Sequence, residues 1–453
     1  MTVQSRWIGG KGRFARVAGR PAPLERRPLI FGALVVFFGL YYYRPEDLIR
    51  VLAYIPMARI SGGIAFIALL AGMMSGTKVK VPRAVKILWL LLLQMIICIP
   101  FSIWPGGSVR TVFDKFAKAV IVAMLISMVV VNMKELRKLL WIQASAVGLV
   151  TFFSIILRNY GQEGRLSGIQ ESILSNPNDL AINIAISFPL ALAFMLHARG
   201  FRKVVWILGL AFMAVGVVLT ASRSGLLALI IIIAICVWEY GIKGKRRHVV
   251  LVTIVALVVG FGIAISSAHY RARVESIFMG NIEGSGDKGS LEARKDLLKK
   301  SVMVALTHPV FGVGPGCFLL VDQGWHVAHN AYTELAAESG IPALVLFLMA
   351  MGAAFKNISQ LRKSKQYRDD PEFTLFTQAL WAGLVGYMVG SMFASTEYNL
   401  YPYFVIGYTC AMVRITGQQR PENEPDNKLV NKPRIFSKAT YDGILKPQAL
   451  RSR

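Results

Sequence analysis

Acidic residues are scarce in this chain. Its 453 residues include 25 Asp and Glu against 51 Lys and Arg, a formal charge of +26. Cysteine is scarcer still. Of Cys98, Cys236, Cys317 and Cys410, only Cys317 lies outside an apolar run, so no disulfide pair outside the cytoplasm is expected. No HExxH or paired-Cys pattern occurs, which argues against a zinc site. No period of roughly 20 to 50 residues marks a repeat array. Long polar stretches are also few: away from the two ends and short loops, residues 267–340 form the one long polar segment. The chain is 55% hydrophobic, with a mean hydropathy of +0.51. Soluble domains rarely have this composition, whereas polytopic membrane proteins do. The basic excess then reads as a topology signal, and no nucleic-acid partner is expected.

A helix needs about 20 apolar residues to cross roughly 30 Å of hydrocarbon. That length predicts an all-α, polytopic transmembrane helix bundle of about twelve spans. They fall at 29–43, 60–76, 86–104, 116–133, 139–157, 179–197, 204–220, 225–241, 249–266, 341–356, 373–396 and 402–416. The chain divides accordingly into a basic arm (1–28), spans 1–9 (29–266), a large helical polar segment (267–340), spans 10–12 (341–416) and a tail (417–453). The tail is expected to be disordered. No small-residue cleavage site follows the basic arm, so the first apolar run is read as a retained span. Lys and Arg cluster in alternate loops, at 78–86, 134–138, 199–203, 243–247 and 356–368, as well as in both termini. This pattern predicts cytoplasmic termini and a periplasmic 267–340 segment.

Several outward-facing residues could carry chemistry. Arg223 lies in a short turn, Thr220-Ala221-Ser222-Arg223-Ser224-Gly225, between two spans. It reads either as a cation facing a wet cavity or as one snorkelling to headgroups. Ser290 can cap a helix from Leu291 to Leu306. In that helix Arg294 falls on the arc of Leu291, Leu297, Leu298, Val302 and Ala305, facing the protein body. It needs an anionic partner, from the protein or from a substrate. Gly312-x-Gly314-x-Gly316 lacks a preceding strand and a following Lys, so it predicts a tight turn rather than a phosphate loop. Asn330 suits a helix N-cap, with the helix ending at Gly340 and Pro342. His329 then sits beside a helix N-terminus, which tends to keep imidazole neutral, as a general base requires; a structural role and competition from His326 stay open. Glu338 is a candidate to orient His329 or only to finish the helix. Glu46 and Asp47, after the first span, are alternative acid/base candidates.

These features together resemble the O-antigen ligase and polymerase family of bacterial membrane glycosyltransferases. The motifs are Arg165-x-x-Gly168 with Asn176-Pro177-Asn178, Ser222-Arg223-Ser224-Gly225, and Ser290-x-x-x-Arg294. They continue with Pro309-x-x-Gly312-x-Gly314-x-Gly316-x-Phe318, His329-Asn330 and Glu338-x-Gly340. The resemblance runs from about 160 to 345; the first 150 residues and the tail share only hydropathy with the family. It implies transfer of a glycan from an undecaprenyl-diphosphate donor to an acceptor hydroxyl at the periplasmic face of the inner membrane. The acceptor would be lipid A–core or a growing polysaccharide. Arg223 and Arg294, with Arg165 as a third member, would bind the diphosphate, and His329 would activate the acceptor. No metal or other cofactor is expected, and one displacement predicts inversion. A transporter or flippase of a lipid-linked or anionic solute, and a non-catalytic scaffold in polysaccharide assembly, are the competing readings. Transporters usually carry ionisable groups at the membrane midplane, and these spans carry theirs at their ends.

Overall fold

A computed structural model describes residues 27–43, 57–74, 81–161, 164–168, 176–244, 262, 287–321 and 326–418. Glu46, Asp47, the expected span at 249–266 except residue 262, and both termini lie outside these residues. Helices occupy the other eleven predicted spans. They are α1 (Arg27–Tyr43), α2 (Met57–Met74), α3 (Arg83–Cys98), α4 (Pro105–Arg110), α5 (Ala117–Val129), α6 (Met133–Ile156), α7 (Pro177–His197), α8 (Phe201–Leu219) and α9 (Arg223–Cys236). After the break come α10 (Asp287–Thr307), α11 (Phe318–Val321), α12 (Ala331–Arg362), α13 (Lys365–Asp369), α14 (Pro371–Gly390) and α15 (Tyr401–Gln418). Among the described residues there is no strand, only an isolated bridge between Tyr160 and Leu166. The fold is an all-α, polytopic helical membrane architecture, with seven described helices long and apolar enough to cross a membrane.

The apolar runs explain which helices are central. α7 is buried along nearly its whole length, from Leu180 to Met195, and packs against α6, α8, α9 and α14. Close contact there needs small side chains. A Cβ on Gly225 of α9 would meet the Ala181 Cβ at 2.2 Å, and one on Gly386 of α14 would meet Ile232 at 2.3 Å. By contrast α8 shows Val204, Val205 and Leu208 on its outside, and α3 shows Leu90, Leu93 and Ile97. Such apolar outer faces suit lipid rather than water. One polar string crosses the interior: Tyr408 donates to Gln143, whose amide donates to Ser187.

Two expectations for the polar segment need correction. Helix α10 begins at Asp287, so Ser290 lies inside its first turn and is not its cap. Its buried stripe is Leu297, Ser301, Val304 and Ala305, while Leu298 and Val302 of the predicted arc are exposed. Arg294, half-buried, sits three residues before Leu297 and seven before Ser301, so it does lie on the inner face, as the helical period requires. Ser301 anchors that face by donating to Thr333 of α12 at 2.9 Å.

Candidate active site

The residues that matter gather at one end of the bundle, where α7, α9 and α12 all begin. Each has a polar cap. Asn176 accepts from the Asn178 amide, Ser222 accepts from the Gly225 amide, and Asn330 accepts from Tyr332 and Thr333. Helix N-termini carry partial positive charge, so three together favour an anion. Arg223 is the first residue of α9, and adds full charge there. Arg165 ties two of these starts together. Its Nε donates to the Thr220 carbonyl at 2.9 Å and its guanidinium donates to Asn178 Oδ1 at 2.8 Å. The backbone helps: Leu166 N–H donates to the Leu219 carbonyl at 2.9 Å.

His329 stands at the same end, with φ +53°. A non-glycine residue held in the left-handed region is strained, and such residues cluster at functional sites. Its neighbours fix it from both sides. The Ala328 amide donates to Glu334 Oε2 at 3.0 Å, Asn330 Nδ2 donates to the Met392 carbonyl at 3.1 Å, and the Ala331 amide donates to Ser391 and Ala394 carbonyls. Burial, reinforced by the charges of Arg294, His326 and Arg165, pushes the imidazole from its ordinary value near 6.5 down to about 4. The structure therefore brings two predicted residues, Arg165 and Arg294, within electrostatic reach of a third, His329. His326, the competing histidine, is exposed.

Glu338 lies elsewhere in this network. Its carboxylate accepts the amides of Gly316 at 2.8 Å and Phe318 at 2.9 Å, together with the Tyr398 hydroxyl. These bonds face the glycine turn rather than His329. They also use two turn amides, so the glycine run is a structural turn docked on α12. It is locked there by Val313 N–H to the Ala337 carbonyl and Gly314 N–H to the Glu338 carbonyl, both 2.9 Å. Two glycines make the fit possible. A Cβ on Gly312 (φ +64°) would sit 2.3 Å from the Glu338 carbonyl carbon, and one on Gly340 (φ +81°) would sit 2.1 Å from the Val310 oxygen. Gly340 also breaks α12 into a short inner part and a long apolar part.

Comparison with known proteins fits this geometry. A family model described as O-antigen ligase matches residues 208–348. That stretch starts in α8, includes Arg223, Arg294, His329 and Glu338, and ends inside α12. Over that segment the chain is similar to the O-antigen ligase family. The chain is also 23% identical over 310 residues to the exopolysaccharide production protein ExoQ of Rhizobium meliloti (strain 1021), covering 63% of this chain and 68% of that protein.

The family motifs do not include every residue that builds this site. Glu334 is 4% exposed, and its carboxylate accepts from both Ala328 and the Ser395 hydroxyl. Lys115, on the π-helical turn Thr111–Phe116, lies within electrostatic reach of Asp179, Glu334 and Glu338. Glu397, 2% exposed, is pushed well above the usual carboxylate range by burial and by the neighbouring charges of Glu334 and Glu338. Lys115, Glu334 and Glu397 lie far apart in sequence, so they leave no local pattern to find. Among the described residues no group of three or more His, Cys, Asp or Glu could hold a metal ion.

Proposed function

We propose that this protein transfers a glycan from an undecaprenyl-diphosphate donor to an acceptor hydroxyl at the periplasmic face of the bacterial inner membrane. The observation that carries the reading is the placement of Arg294 and Arg165 around a half-buried imidazole whose pKa they help to depress. A neutral imidazole among cations is suited to accept a proton while the cations hold an anion. Arg223 and Arg294 would grip the diphosphate, with Arg165 as a further member. Guanidinium forks match phosphate oxygens in a bidentate way and stabilise the charge that develops on the leaving group. The three helix N-termini would add to that field. His329 would take the proton of the acceptor hydroxyl as its oxygen attacks the anomeric carbon. The C–O bond to the diphosphate breaks, the diphosphate leaves with its electron pair, and a single displacement inverts that carbon. Glu338, engaged with the glycine turn, would act by holding the loop wall rather than by touching substrate.

ExoQ is described as an exopolysaccharide production protein. That description favours a growing polysaccharide as acceptor over lipid A–core. The test is transfer by the purified chain in nanodiscs, given a lipid-linked glycan and a matching acceptor glycan, with products read by mass spectrometry. A longer lipid-linked chain with an inverted linkage is expected. Movement of intact donor between leaflets of a vesicle with no new glycosidic bond would support the flippase reading instead. A strain lacking the gene should lose long exopolysaccharide chains; loss of capped lipopolysaccharide alone would move the acceptor to lipid A–core.

A further inference from the structure

A second site lies at the opposite end of the bundle. From Arg223, α9 runs on into a π-helical turn, Val237–Lys243. Those 21 residues span roughly 30 Å. π-Turns inside α-helices often mark functional positions. There the chain meets the end of α12, α13 and the start of α14 around a cavity of about 560 Å3. Among the described residues Lys243, Arg362 and Arg368 line it with a single carboxylate, Glu239. Glu239 is 5% exposed and fully engaged. It pairs with Arg362 at 3.1 Å and Lys243 at 3.7 Å and accepts from Gln378 at 3.2 Å. Arg362 Nε is buried without a hydrogen-bond partner among the described residues. One carboxylate cannot balance three cations, so the cavity calls for an anion.

A second cavity, of about 460 Å3, shares Glu239 and Arg362 with the first and is otherwise lined by Ile231, Ala234, Ile235, Trp238 and Trp381. Its lining climbs two turns of α9 toward the bundle's middle, on the side where Ile230 and Trp238 are exposed. Arg362 lies over the Trp381 ring at 4.8 Å and Lys243 over Trp238 at 5.7 Å. Aromatic rings at this level suit the boundary between headgroups and acyl chains. A cationic cavity continuous with an apolar outward groove has the shape of a lipid, and a small soluble anion would use only its polar half. We infer that this end of the bundle binds an anionic phospholipid. The headgroup phosphate lies among Lys243, Arg362 and Arg368, and an acyl chain runs along Ile231, Ile235 and Trp238. Basic pockets between spanning helices are a recurrent form of headgroup recognition. The site is independent of the glycan-transfer reading, since no residue is common to both.

The test uses the full chain in phosphatidylcholine nanodiscs containing a minor fraction of lipid with brominated acyl chains, which quench tryptophan on contact. Brominated phosphatidylglycerol is expected to quench more than brominated phosphatidylcholine at equal fraction. The excess should disappear in Trp238→Phe/Trp381→Phe. Lys243→Gln and Arg368→Gln should each weaken phosphatidylglycerol binding roughly fivefold. Arg362 is left intact because it is the nearer partner of Glu239, at 3.1 Å against 3.7 Å for Lys243; should the tryptophan variant fail to fold, the two charge variants carry the test alone. Equal quenching by the two lipids, or unchanged binding in both charge variants, overturns the proposal. So does an excess that survives removal of both tryptophans. Loss of the excess on adding glycerol 3-phosphate would also overturn it, by putting a soluble phosphate in the cavity.

Discussion

Glu334 Oε2 accepts the amide of Ala328 at 3.0 Å, and Ala328 immediately precedes His329. A buried carboxylate thus holds the backbone beside the imidazole, while Glu338, one turn further along α12, holds the glycine turn. The two acids divide the support of the site between them. Burial pushes the Glu334 carboxyl up to about 8, so its hydrogen bond counts as a neutral one, contributing about 0.5–1.5 kcal/mol, and its loss leaves a buried donor unsatisfied.

Glu334→Ala should therefore lower turnover while changing donor affinity little, because the arginines are untouched. It should also alter the acid limb of the pH–rate profile by loosening His329. Glu334→Gln keeps one acceptor oxygen and should recover part of the rate. Paired donor-binding and transfer assays on purified variants check this; a fall in donor affinity equal to the fall in rate would make Glu334 a merely structural acid.

The pH dependence follows from His329. Its folded pKa, about 4, lies below the ordinary 6.5, so the imidazole stays neutral and able to accept a proton well into mild acid. The acid limb of kcat/KM reports the folded enzyme, so it should be centred well below 6.5, toward 4. The unfolded chain binds more protons than the folded one across the same window, so stability should decline as pH falls from 6.5 toward 4. A pH series of transfer rates beside thermal unfolding reads both, and a limb centred above 6.5 would contradict the assigned environment.

Most helices were legible in the sequence because an apolar run of span length has few alternatives. Arg294 was legible too, since helical periodicity turns it toward α12 even though the stripe itself is rotated from the predicted arc. Glu334, Lys115 and the true partners of Glu338 were not. Their contacts join residues that sit far apart in the chain, such as Tyr398 with Glu338 and Ser395 with Glu334, and local spacing carries no record of them. Ser290 misled for a simpler reason: a good cap residue is also tolerated in the first turn of a helix that starts earlier, here at Asp287.

Gly340→Ala tests the docking of the glycine turn. With φ +81° and a Cβ 2.1 Å from the Val310 oxygen, the substitution should cost at least about 1–3 kcal/mol. It should lower the unfolding temperature in detergent and reduce transfer through displacement of the turn. Gly352→Ala, where a Cβ meets open space, is the control and should be neutral or slightly stabilising.

Arg223→Lys and Arg294→Lys keep charge and remove the planar fork. Each should fold, bind a lipid-linked donor more weakly and transfer more slowly. In excess EDTA the native protein should keep its activity, since guanidinium groups are assigned the charge a divalent ion could otherwise carry. Activity that vanished in chelator and returned with magnesium would redirect attention to Glu46 and Asp47.

The decisive comparison is His329→Ala, assayed for donor binding and for glycan transfer on the same purified sample. If His329 is the base, donor affinity stays near native and the transfer rate falls by about 100- to 10,000-fold, while His326→Ala is much milder. Near-full transfer by His329→Ala, with transfer abolished instead by Glu46→Gln or Asp47→Asn, would place the base after the first span and contradict the assignment.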